Sequence, residues 1–526
     1  MADHPATVWI GRGPLSVENV AAVARDGAAV DIAAPALAEV RRTRDLVEAL
    51  AADDQPHYGV STGFGALATR HIPVQRRAQL QRSLIRSHAA GSGPEVEVEV
   101  VRALMALRLA TLATGRCGVR ERTLRAYLGL LNAGLTPVVH EFGSLGCSGD
   151  LAPLAHCALA LTGEGVVLDR SGVRRPAAEA LARAGLEPVT LAEKEGLALI
   201  NGTDGMLGML ALALVDCAHL VKVADIAAAM SVEGLLGTDD VFAADLHRLR
   251  PHPGQQASAA NLRALMRGSA IRDSHRAEGT SPSSRSQACT RVQDAYSLRC
   301  SPQVAGGARD TVAYARRVAE VELGSAIDNP VITLDGRVES NGNFHGAPIG
   351  YVLDFLAIVL ADLASIAERR TDRFLDPHRS HGLPPFLADD PGVDSGFMIA
   401  QYTQAAIVSE LKRLAQPASV DSIPSSALQE DHVSMGWAAA RKLRRAVDGL
   451  TRVLAIELLT AARGIEMRAP LSPAPASAAV IAALRAAGAP PPGPDRWLAP
   501  EIETAVRFVV GGHAVAAAES VTGPLA

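Results

Sequence analysis

The 526-residue chain has little aromatic side chain: Trp, Tyr and Phe together make up 3% of it. With Ala and Leu dominating a 48% hydrophobic fraction, such a core is built from close-packed helices rather than from aromatic- and Val-rich sheets. A strong excess of either acidic or basic residues is also missing. Lys and Arg number 51 against 56 Asp and Glu, a formal net charge of -5, which excludes a global attraction for nucleic acid or acidic membranes. The six cysteines, Cys117, Cys147, Cys157, Cys217, Cys289 and Cys300, have no C-x-x-C spacing, which argues against a disulfide framework and against a zinc ribbon. The opening residues MADHPATVWIGRGPLS contain no apolar signal-peptide stretch, so the cytoplasm is the expected compartment. No long uncharged apolar run occurs either. The window 349–366 carries Asp354 and Asp362, and 206–215 is too short to span a bilayer, so both are expected to be buried helices.

The length exceeds one ordinary core, and the expected organisation is an N-terminal region (1–205), a long-helix region (206–468) and a Pro- and Ala-rich C-terminal region with a last helix (469–526). Periodicity predicts helices over 73–90, 98–114 and 120–132, long ones over 308–326, 350–374 and 434–468, and shorter ones at 476–487 and 499–510. Long helices of this kind pair most simply as a central antiparallel bundle, whose apolar faces predict a homo-oligomer. Residues 57–70, HYGVSTGFGALATR, read as a Gly-rich loop, and the polar, Ser-rich stretch near 272–288 as a flexible exposed insertion.

Several signatures are discounted. Gly59 to Gly63 spells G-x-S-x-G without the strand–turn–helix frame of a hydrolase, Ser409 to Lys412 spells S-x-x-K inside a helical pattern, and His378 and His381 have no accompanying metal-ligand framework. The stretch GSLGCSGDLAPLAH, 143–156, is different. In Cys147-Ser148-Gly149, a glycine without Cβ allows its nitrogen to approach the Cys147 carbonyl, and loss of water from the resulting ring and from Ser148 leaves an exocyclic methylidene, an electrophile no ordinary side chain supplies. Around it the chain offers Tyr58 in the Gly-rich loop as a candidate general base, if a cationic or dipolar surround lowers its pKa. Gln293, Tyr296 and Arg299 share one helical face, with the guanidinium suited to a carboxylate. The segments AIDNPVI, ESNGNFHGAP and SSALQEDHVSMGW are dense in amides and acids, more than helix capping requires.

Taken together, YGVSTGFG, GSLGCSGDLAPLAH, INGTDG, QDAYSLRC, DNP, NGNFHG and QEDHVSMG stand in the order found in the aromatic amino acid lyases and aminomutases that carry a self-made methylidene-imidazolone, and the chain resembles that family over essentially its whole length. Within the family it is most similar to the histidine-specific lyases, including those with Cys at the first position of the triad. Ser87-His88 and Gln429-Glu430 stand where phenylalanine lyases carry an apolar pair and an Asn-Gln pair; a carboxylate suits an imidazole N–H and suits a phenyl ring badly. The resemblance implies an all-α, fumarase/aspartase-like homotetramer with a central long-helix bundle and active sites assembled from three chains. It implies a methylidene-imidazolone formed from Cys147, Ser148 and Gly149, no external cofactor or metal, and elimination of ammonia from L-histidine to give trans-urocanate. Tyr58 would take the β-proton, with Tyr296 and Glu430 beside it in the catalytic set. Arg299 would hold the carboxylate, and His88, Asn201, Gln293, Asn329, Phe344 and Gln429 would position substrate or ring. A sister lyase or 2,3-aminomutase for tyrosine or another aryl alanine, and a catalytically dead tetrameric scaffold, are the competing readings. Asp204 departs from the Gln that several histidine lyases carry there.

Overall fold

In the computed structural model residues 7–52, 57–63, 70–275 and 292–526 are described; residues 64–69 of the Gly-rich stretch and 276–291, which hold most of the expected polar insertion, lie outside the described residues. Helices dominate, and the strands are two to four residues long, as the scarcity of aromatic and β-branched runs predicts. The expected helices form at Val74–His88, Val98–Ala113, Glu121–Asn132, Ser301–Leu323, Ala347–Leu375, Gly436–Glu466, Pro475–Ala486 and Ala499–Val510. The apolar run starting near Met206 is part of a longer helix, Asp204–Gly234. A further helix, His513–Thr522, follows the one expected to be last; Gly512, at φ 74°, breaks the two apart. Where the flexible exposed insertion was expected to begin, Ala270–Asp273 is instead helical, and Arg272 is buried with its Nε 2.6 Å from Asp239.

The chain folds into two compact units. The first comprises 1–215, 315–354 and 417–441. Its centre is Val98–Ala113, whose stripe Val100, Ala103, Leu104 and Leu107 is buried as its spacing predicts; Val101, Met105, Ala106 and Leu109 are buried too, so the helix is core on all sides. Glu121–Asn132 is by contrast one-sided, burying Thr123, Leu124, Tyr127, Leu130 and Leu131 at helical spacing. Short sheets edge this unit: Val8–Ile10 pairs in parallel with Val30–Ile32, and Val166–Leu168 pairs antiparallel with both Thr136–Pro137 and Arg174–Pro176.

The second unit comprises 216–314, 355–416 and 442–526. Two of its buried acids are matched: Arg370 reaches both Glu457 carboxylate oxygens at 2.5 and 2.9 Å, and Ser231 Oγ donates to the same acid at 2.7 Å. Asp225 accepts from Ser258, Asn261 and Arg309. Asp204–Gly234 and Ala347–Leu375 are long and apolar enough to cross a membrane, but most of each apolar window is buried inside the protein. Among the described residues there is no group of three or more His, Cys, Asp or Glu placed to hold a metal ion.

Candidate active site

Between the strand His140–Phe142 and the helix Leu151–Leu161 the chain turns through Gly143 to Asp150, and this turn needs its glycines. Gly149 has φ 76°, and a Cβ there would stand 2.0 Å from the Gly202 carbonyl oxygen. That contact is the floor of the site: Gly149 and Gly202 pair as an isolated bridge, and the Asp150 N–H donates to the Gly202 carbonyl at 2.7 Å. The triad is therefore laid directly on the INGTDG turn. Gly149→Ala adds a left-handed L-residue, about 1–2 kcal/mol, to a backbone clash that nothing flexible relieves. The expected result is a lower melting temperature and an intact mass without the deficit of the dehydrated ring.

Asp150 locks the two turns together. Its Oδ1 accepts from Ser144 Oγ at 2.8 Å, and its Oδ2 accepts from the Gly205 and Met206 N–H groups, each at 2.9 Å, at the start of the helix Asp204–Gly234. Burial outweighs these donors and pushes the Asp150 carboxyl up to about 7. A carboxyl whose folded pKa is raised keeps its proton longer in the folded state, so its contribution to stability is greatest below the ordinary Asp range and is lost as pH rises through about 7. Three pH units of displacement set a ceiling of roughly 4 kcal/mol on that loss. Urea midpoints at pH 5 and pH 8 are expected to differ more for the natural protein than for Asp150→Asn.

A second segment closes over the turn. Ser434 Oγ donates to the Gly146 carbonyl at 3.0 Å, the Met435 N–H to the Leu145 carbonyl at 2.9 Å, and Trp437 Nε1 to the Glu141 carbonyl at 2.7 Å. Ser426, Ala427 and Leu428, just upstream, all have positive φ (51°, 53° and 68°), a conformation that costs about 1–2 kcal/mol per L-residue. It delivers Gln429 and Glu430 to the triad. Ser148 Oγ donates to Glu430 Oε1 at 3.3 Å, and Ser425 Oγ donates to Oε2 at 3.0 Å. Burial and the neighbouring Glu430 charge push the Cys147 thiol up to about 12, so it is a neutral wall rather than a nucleophile.

The triad opens into a cavity of about 640 Å³. Tyr58, Ser148, Asn329, Phe344, Gln429 and Glu430 line it, together with Cys147. Tyr58 is delivered by its neighbour: Gly59, at φ 75°, lies so close to Pro330 and Leu197 that a Cβ would meet them at 3.0 and 3.1 Å. Asn201 is buried just behind, with Nδ2 donating to the Asn329 carbonyl at 3.4 Å and Oδ1 without a hydrogen-bond partner. His88 ends its helix, with Nδ1 2.9 Å from the Leu84 carbonyl. Burial pushes the His88 pKa down, while the Leu84 carbonyl and the Glu430 charge favour the cation.

Gln293, Tyr296 and Arg299 belong to the second unit and are not among the residues lining this cavity. Tyr296 is 71% exposed, and the Arg299 guanidinium lies 4.6 Å from its ring centre. Sequence marked His432 only as one of a polar cluster and Asp204 only as a departure, and gave His345, Lys194, Asp328 and Arg108 no role. His345 and His432 stack on the cavity wall with ring centres 5.3 Å apart. Lys194 and Asp328, both fully buried, pair at 2.6 Å and anchor the DNP turn. Arg108, also fully buried, donates to the carbonyls of Asn201 at 2.8 Å and Ile327 at 2.9 Å, and its Nε lies 3.4 Å from Asp204. Burial pushes the Asp204 carboxyl up, with Arg108 pulling against it. The density of amides near 329 and 340 is the one local signal for part of this set.

A family model of the aromatic amino acid lyases matches residues 15–486. Among curated proteins, a histidine ammonia-lyase of Streptomyces avermitilis is 64% identical over 520 residues, covering 99% of this chain and 100% of the relative, and one of Streptomyces coelicolor is 63% identical with 99% of each covered. Among solved structures, the tyrosine aminomutase of Streptomyces globisporus superposes with a TM-score of 0.92 at 39% identity, covering 99% of this chain and 100% of that one. The histidine ammonia-lyase of Trypanosoma cruzi gives 0.89 at 38% identity, covering 98% and 95%.

Proposed function

The chain belongs to the aromatic amino acid lyase family, and on that premise we propose that Cys147-Ser148-Gly149 closes into a methylidene-imidazolone and that His88 and Glu430 select the substrate. The protein is a histidine ammonia-lyase, which removes ammonia from L-histidine without oxidation. The observation that carries the choice of substrate is the Glu430 carboxylate in the cavity at Ser148, with His88 close enough to feel its charge. An imidazole N–H satisfies that carboxylate, whereas a phenyl ring would leave it buried and unpaired.

The residues present fit the ring. Gly149 lies where no Cβ is tolerated, and Asn201 Oδ1 is a buried acceptor with no hydrogen-bond donor. The ring would supply an electrophilic methylidene carbon. Tyr58, on the cavity wall, takes the β-proton of the substrate, Asn201 and Asn329 orient ring and amino group, and Phe344 and Gln429 shape the remaining wall. With the proton gone from Cβ and ammonia from Cα, the product is trans-urocanate. Arg299 holds the substrate carboxylate, with Gln293 and Tyr296, in the cavity of a neighbouring copy; the exposure of Tyr296 supports that assignment. Exposed Phe355 and Ile358 on one helix and Ile399 and Tyr402 on the next give apolar surface for a homotetramer. The near-balanced charge accords with a cytoplasmic enzyme that engages neither nucleic acid nor membrane.

Incubation of the purified protein with L-histidine decides the substrate. Absorbance should grow in the urocanate band; silence with histidine, together with cinnamate, coumarate or a β-amino acid from an aryl alanine, would overturn the reading. An intact mass without ring dehydration would point to an inactive scaffold.

A further inference from the structure

Behind the INGTDG turn lies a second cavity, of about 260 Å³, walled mostly by apolar side chains such as Leu107, Leu207 and Ile327. Two carboxylates face it, Asp204 and Glu322, with the Thr111 and Thr203 residues beside them. Asp204 is 4% exposed; Thr111 Oγ1 donates to its Oδ1 at 3.4 Å, while its Oδ2 accepts no hydrogen bond and has only the Arg108 Nε at 3.4 Å. Arg108 matches one of the two acids. Glu322 is the other, half-buried at the C-terminal end of the helix Ser301–Leu323, where the helix dipole already concentrates negative potential. An acid there opposes both the dipole and its neighbour, and burial with the Asp204 charge raises the Glu322 pKa. Helix design alone would place a base or a neutral residue at that position.

The cavity also shares walls with its neighbours. Glu322, Ser325 and Ile327 line both it and a larger cavity of about 760 Å³, and His345 lines that larger cavity as well as the one holding Ser148. Carboxylates, hydroxyls and the carbonyls of a helix end are the oxygen donors that hold hard or hydrogen-bonding cations. With both acids ionised, Arg108, Asp204 and Glu322 leave one negative charge to be matched.

We propose that the cavity between Asp204 and Glu322 binds a small monovalent cation, and that its ligand during turnover is the ammonium released by the reaction. The proposal of ammonium rests on the lyase reading; the cation site does not. The chemistry balances: the Cα–N bond of the substrate breaks, one proton leaves Cβ, and the nitrogen departs with that proton as ammonium. Its path runs from Ser148 past His345 to Glu322.

Crystals of the full chain soaked in thallous acetate, with thallium as the probe, test the site directly. An anomalous peak beside Glu322 in the natural protein, absent in Glu322→Gln, is the expected result; no peak in that cavity overturns the proposal. Steady-state assays with added ammonium chloride at constant ionic strength test the ligand. The inhibition constant for ammonium is expected to rise about tenfold in Glu322→Gln, the scale of one lost charge-assisted contact, with kcat/KM for L-histidine unchanged. A thallium peak with identical ammonium inhibition in both proteins overturns the assignment to product ammonium. A natural protein that does not turn over histidine sinks the activity reading instead, and the thallium peak still decides the site.

Discussion

Ser148→Ala is expected to lose histidine turnover by about 10⁴-fold or more, on the scale seen when a covalent catalyst is deleted, while the protein keeps its fold. The size follows from what is removed. Among the described residues no other side chain lining the cavity is a comparable electrophile: Tyr58, Asn329, Gln429, Glu430 and the two stacked histidines are bases, amides or hydrogen-bonding groups. The cost to stability is small: in the uncyclised turn Ser148 Oγ makes one long hydrogen bond, 3.3 Å to Glu430, which dehydration of the ring removes from the natural protein as well, and that carboxylate keeps Ser425 as a donor. The turn itself is held by Asp150, Ser434 and Gly149, none of which the substitution touches. The measurement pairs urocanate formation with intact mass and thermal unfolding. Full activity in the variant would remove the triad from the mechanism, and a collapsed melting temperature would show that the loss of activity came from folding.

Much of this cavity was legible because several of the polar side chains that line it stand out in loops of an otherwise apolar chain. A Gly-Ser-rich turn, a tyrosine between a histidine and a glycine, and clustered amides beside proline are conspicuous in an Ala- and Leu-rich helical chain. The helices were legible for the ordinary reason that apolar spacing marks them, although Val98–Ala113 is buried on more faces than its stripe predicts. The unread residues share a cause. Arg108 and Lys194 look like solvated charges in sequence, yet both are fully buried, because their partners Asp204 and Asp328 arrive from distant segments. Asp150 reads as part of the helix it precedes, whereas its carboxylate serves the next helix, Asp204–Gly234. The left-handed path through Ser426, Ala427 and Leu428 has no glycine to announce it. The compact units are likewise assembled from interleaved segments, a feature of long-range packing that no local pattern encodes.

Tyr58→Phe is expected to keep the ring and lose the base. General-base catalysis contributes about 10²–10⁴-fold, so kcat should fall by that order while KM for L-histidine changes little. Tyr58 stands on the wall shared with Ser148 and Glu430, and its backbone is fixed by Gly59 against Pro330 and Leu197, with the His57 N–H donating to Ser61 Oγ at 2.9 Å. Removing one oxygen leaves all of those contacts in place, so the phenyl ring occupies the same wall. Two readouts separate a base from a merely structural tyrosine. Histidine deuterated at Cβ should show a larger isotope effect on kcat/KM in Tyr58→Phe than in the natural enzyme, since proton removal then limits the rate. The intact mass should still carry the dehydration of Cys147-Ser148-Gly149. A variant that is fully active, or whose isotope effect is unchanged despite slow turnover, would move the base to another group on this wall, and His345 and His432 are the nearest candidates by chemistry.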